Sequence, residues 1–290
     1  MLDCRRLALA CVLLLISPIP RLAAQDQRAS LLKADRLAAA LSSDSGVAIV
    51  ARRSFDSAGV LLWPQAPVLV GAGQIRLLLS SQKQPIRLTW QPLGLDLSSD
   101  STLGVTWGVT WLAQQAPVTP TGLGRYISVW RRVGDAWSVA ALVFIGVSAG
   151  SNTAVPAGVP LSRPAGRSGD DTAPFIAADQ AFARLARDSG AAVAFRTWAD
   201  EDAVIFGGGG LLIRGREAIG QAVAGPERWD WHPVIAGGAR KGDLGWTVGE
   251  AIIRSTEAEP SYSKYLTVWK RRGGTSQFII DGGNGRPRSP

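Results

Sequence analysis

The chain has 290 residues, a formal net charge of +8 and 46% hydrophobic residues, enough for two domains with cores of their own. Its two cysteines, Cys4 and Cys11, lie at the extreme N-terminus, so the remainder has no disulfide, thiolate nucleophile or Cys-ligated metal. The basic residues are scattered apart from Arg131-Arg132 and Lys270–Arg272, which gives no coherent basic face, and no nucleic-acid partner is expected.

Arg5 and Arg6 precede an apolar run, Leu7–Ile16, followed by Pro18, Pro20 and the small pair Ala23-Ala24. This order predicts a signal peptide over 1–24 and a secreted or periplasmic protein. The run is too short to span a bilayer, so no stable membrane anchor is expected after cleavage. Cys11 invites comparison with a lipoprotein anchor, but Val12–Ile16 carry the apolar segment past it.

Apolar residues at 31, 34, 37, 38 and 41 predict a helix, and Phe175–Leu185 repeats the pattern. Short apolar strands follow at Val60–Leu62 and Val204–Phe206, then short helices at Gly71–Leu79 and Gly215–Ile219. Gly207–Gly210 lacks the lysine and helix start of a phosphate cradle and is read as a loop tip. Strands are expected at Arg87–Leu97, Leu103–Leu112, Tyr126–Trp130 and Trp137–Phe144, with counterparts through Ile280. Tyr265, Thr267 and Trp269 share one strand face and Leu266 and Val268 the other, so both faces should be covered. Residues 148–174, rich in Pro, Gly, Ser and Ala, read as a linker.

These elements are one unit written twice. Asp35 and Asp179, Gly46 and Gly190, and Gly71 and Gly215 lie at one spacing; Trp90 and Trp231 lie at a slightly shorter one. Tyr126 and Tyr265, and Trp130 and Trp269, are shorter again, as loop deletions would make them. The fold class expected is therefore α+β: two tandem cone-shaped domains, each a curved antiparallel sheet wrapped around an N-terminal helix. The domains expected are 28–147 and 175–286.

GDLGWTVG (242–249), KYLTVWKR (264–271) and IIDGGN (279–284) resemble the SnoaL-like, ketosteroid-isomerase-homologue branch of the nuclear transport factor 2-like superfamily. The first domain matches more weakly: the aspartate of the last strand, Asp281, becomes Leu142, and Asp243 becomes Thr102. Any site is thus expected in domain two, with domain one packed on it as a pseudo-dimer. The resemblance implies a steroid-isomerase base just after the short strand, a position held here by Gly207, and a helix tyrosine that is absent; that chemistry is not expected.

Candidate catalytic residues are His232, the only histidine, with Asp281 or Glu250 as an acid partner. Asp281 also reads as a structural carboxylate bonded to backbone near a Gly282-Gly283 turn. Candidate binding residues are Trp229, Trp231, Trp246, Tyr265 and Trp269, an aromatic lining suited to a small apolar or cyclic ligand. No cofactor and no metal are expected. Two functions remain open: a binding or scaffold protein, and an isomerase, dehydratase or cyclase working in the cavity of domain two.

Overall fold

The structure, a computed structural model, describes residues 20–82, 84–113, 124–146, 171–206 and 211–288. Most of the leader expected over 1–24, most of the linker over 148–174 and the Gly207–Gly210 tip lie outside the described residues.

The long helix α1 (Pro20–Ser45) buries Leu31, Asp35, Ala38 and Ser42, a stripe at helical spacing. It breaks at Gly46, whose φ of 90° suits glycine, and the chain restarts as α2 (Val47–Arg53). The strands β1 (Phe55–Leu62) and β2 (Val68–Val70) follow, then α3 (Ala72–Ser80) and a meander of four long strands. The meander is β3 (Leu88–Leu97), β4 (Leu103–Leu112), β5 (Gly124–Val133) and β6 (Ala136–Ile145). The sheet order is β2-β1-β6-β5-β4-β3, with β1 and β6 parallel and every other pair antiparallel.

The second half repeats this order. Helices α4 (Ala173–Ser189) and α5 (Ala191–Trp198) are split by Gly190 at φ 86°. They lead to β7 (Ala199–Phe206), β8 (Leu212–Arg214) and α6 (Arg216–Ala222). Strands β9 (Arg228–Gly238), β10 (Leu244–Arg254), β11 (Ser261–Arg272) and β12 (Thr275–Gly285) complete the sheet β8-β7-β12-β11-β10-β9. The fold is thus α+β, two tandem cones each wrapped around its helices. The sequence predicted one helix before the first strand of each cone; there are two, because the repeated glycine ends one and starts the next.

Alternation along the strands assigns the two faces of each sheet. Inward-facing Trp130 and Trp269 join separate buried clusters with their own helices. Outward-facing Ile127, Val129 and Val143 of the first sheet share a third cluster with Trp246, Val248, Leu266, Val268 and Ile280 of the second. Polar contacts ring this cluster. Asn284 Nδ2 donates to the carbonyls of Leu62 (2.8 Å) and Phe144 (2.7 Å), and Gln65 N donates to Gly285 O (2.9 Å). At the far end Ser99 N donates to Asp243, Lys241 N to Asp100, and Lys270 pairs with Asp96.

Candidate functional site

Each cone holds a buried aspartate on its long helix. In the first, Asp35 accepts hydrogen bonds from Tyr126 Oη (2.8 Å), Thr106 Oγ1 (3.0 Å) and Trp90 Nε1 (3.3 Å). In the second, Asp179 accepts from Tyr265 Oη (3.0 Å) and Trp231 Nε1 (3.0 Å), with Thr247 alongside. Trp130 Nε1 donates to Thr106 (3.0 Å), and Trp269 Nε1 donates to Thr247 (2.8 Å). Burial raises both carboxyls to about 6, against the pull of their donors. Both copies keep this network, which ties helix to sheet; its presence in both marks it as architecture.

The difference between the cones lies on their last strands. In the first, Ser128 faces Leu142 and Tyr126 faces Phe144 across the ladder. In the second, Thr267 faces Asp281 and Tyr265 faces Gly283. Phe144 packs against Trp63 and Trp90, with ring centroids 5.8 Å apart in each pair, and fills the first cone. Gly283 fills nothing. The second cone holds a cavity of about 590 Å³ whose walls include Phe182, Phe195, Trp229, Trp231, Tyr265 and Asp281.

Asp281 is enclosed by protein, and the part-exposed surface it keeps is at the cavity wall. Burial raises its carboxyl to about 7; Thr267 Oγ1, donating to Oδ2, opposes this, while the nearby Asp179 adds to it. Its partner is therefore a side chain. Gly282 and Gly283 continue the strand and make no turn, which corrects the expectation of a backbone-bonded carboxylate.

The other candidates separate by face. Trp229, Trp231 and Tyr265 line the cavity. Trp246 faces the other way into the cluster shared by the two sheets, and Trp269 is fully buried in the cone's own core; neither is a lining residue. His232 is exposed, because alternation on β9 turns it outward from Trp231. Glu250 stands beside it on β10, also facing outward, and pairs with Arg286 (Oε2–Nη2 3.3 Å). The predicted pairing of His232 with Asp281 across the cavity therefore does not form.

Two groups escaped the reading of site residues, although the repeat matches Asp179 with Asp35. Asp179 sits four residues after Phe175 and three before Phe182, a carboxylate on an apolar helical stripe, and that spacing was its signal. Lys264 continues the face of Leu266 and Val268 and is fully buried, yet a lysine at a strand start reads as solvated. Among the described residues no group of three or more His, Cys, Asp or Glu is placed to hold a metal ion.

Compared with solved structures, the chain is similar to an NTF2-like protein of unknown function from Pseudomonas putida KT2440 (17% identity, 38% of this chain and 82% of that one, TM-score 0.33). It is also similar to an LEH-like epoxide hydrolase of M. tuberculosis (14% identity, 40% and 84%, TM-score 0.32). A third similar structure is an uncharacterised protein with a cystatin-like fold from Caulobacter vibrioides (15% identity, 39% and 87%, TM-score 0.34). No protein-family model and no curated protein matches the chain.

Proposed function

We propose that this is an exported protein of two SnoaL-like cones that binds a small apolar or cyclic molecule in the second cone. The first cone serves as its filled partner in a pseudo-dimer. Export rests on the Arg5-Arg6, Leu7–Ile16 and Ala23-Ala24 pattern. Binding rests on one observation: where the first cone has Leu142 and Phe144, the second has Asp281 and Gly283, and a cavity opens there. Its volume falls within the range of ligand sites, and its aromatic walls carry one enclosed carboxyl to orient a polar group.

The test is a fluorescence titration of the full chain with N-phenyl-1-naphthylamine, an uncharged apolar probe. Wild type should bind one probe per chain. Ala251→Trp, which fills the cavity from the inner face of β10, should weaken binding at least tenfold, and His232→Ala should leave it unchanged. Binding that survives Ala251→Trp would place the probe elsewhere and end this reading.

Asp281 also supports a second reading, an isomerase, dehydratase or cyclase. A carboxyl near 7 on a cavity wall suits proton transfer at neutral pH, and it would act in place of His232. Incubating a bound molecule with wild type and with Asp281→Asn, followed by NMR, separates the two readings. Conversion by wild type alone supports the enzyme; recovery of unaltered ligand from both supports binding.

A further inference from the structure

The cavity opens where β11 begins and β12 ends, and here its walls include Tyr262, Lys264, Asn284 and Gly285 with Gln65 of the first cone. Lys264 is fully buried, and its ammonium has three hydrogens to place. The only hydrogen bond it makes among the described residues is to Gly285 O, at 2.8 Å, and no carboxylate pairs with it there. Glu250 faces Lys264 across the ladder, but its carboxylate is engaged by the buried guanidinium of Arg286. Arg286 and Arg288 both lie over the ring of Tyr262, at 5.3 and 5.9 Å from its centroid. Three cations therefore gather around one carboxylate, Lys264 on the cavity wall and Arg286 and Arg288 over Tyr262 of that wall. The first-cone residues on the cavity wall, Pro64, Gln65, Ile145 and Gly146, are uncharged.

A buried ammonium that shares its one nearby carboxylate, Glu250, with a buried guanidinium is under-compensated in the free protein, and an anion placed near it would offset that cost. We propose that the ligand is an amphipathic organic anion, with its apolar body among the aromatic walls and its acidic head at the mouth beside Lys264 and Arg288. Burial and, after it, the neighbouring Arg286 hold the Lys264 ammonium down to about 7, against the smaller pull of Glu250. Asp281 lies four residues further in along β12, about 13 Å at strand rise, so the acidic head would stay clear of it. The two ends of the cavity would then fix the ligand's direction.

This inference rests on the cavity being a binding site, and one pair of probes tests the two ideas separately. N-phenyl-1-naphthylamine and 8-anilinonaphthalene-1-sulfonate share an apolar body and differ by the sulfonate. Wild type should bind the sulfonate at least tenfold more tightly, and Lys264→Met should erase that preference while keeping the uncharged probe. Should Lys264→Met fail to fold, Arg288→Ala, at an exposed position, should cut sulfonate affinity several-fold without changing that of the neutral probe. Equal affinities in wild type, or a preference untouched by every folded variant, would overturn the anion but keep the cavity. Failure of both probes to bind would overturn both.

Discussion

Asp281 illustrates how one carboxyl can act on stability and site together. Its folded pKa of about 7 lies above the ordinary 3.8. Between these values the folded protein holds a proton that the unfolded chain has lost, so stability is greatest at low pH and falls as pH rises towards 7. Asp35 and Asp179, raised to about 6, act in the same direction. Asp281→Asn removes one such group and should raise stability by about 1–3 kcal/mol at pH 8, with little effect at pH 4, since each tenfold change in proton affinity is worth about 1.4 kcal/mol. Urea unfolding at the two pH values measures this; equal gains at both would show that ionisation is not the cause.

Among the elements, the long helix and the β5 or β11 strand that grips it behave alike in the two cones. Tyr126→Phe and Tyr265→Phe each remove one donor to a buried carboxylate and should cost about 1–3 kcal/mol. Only Tyr265→Phe should alter probe binding, because Tyr265 lines the cavity of the second cone whereas Tyr126 packs against Trp90 in the first. Equal effects of the two on binding would contradict the division of roles. The repeat made these elements legible in the sequence, since Tyr126 with Tyr265 and Trp130 with Trp269 stand at matched positions on alternating strands. The second helices α2 and α5 were not legible, because Gly46 and Gly190 looked like matched residues and not like breaks. The three-residue strands β2 and β8 are too short for periodicity to show. In the site, Leu142 against Asp281 was readable from the copies alone. The outward turn of His232, Glu250 and Trp246 was not, because it depends on strand phase and on which face the other sheet covers.

For the whole molecule, the cluster between the sheets should couple the two cones. Heat should unfold the chain in a single calorimetric transition, with van't Hoff and calorimetric enthalpies equal. Val268→Asp, which buries a charge in that cluster, should lower the midpoint of the entire transition. Two resolved transitions in wild type would mean that each cone melts alone.

The filled interior of the first cone then bears on how the second can change. Trp63, Leu142 and Phe144 are packed in the core of the first cone, which on the binding proposal would be a reserve of stability that no ligand requirement limits. The second cone, which holds the cavity and buried ionisable groups, would lean on that reserve through the shared cluster if the two melt as one. Substitutions among its aromatic walls could thus retune specificity without crossing the threshold for unfolding. Duplication would have divided tolerance from selectivity, leaving one copy to absorb mutations that the other accumulates.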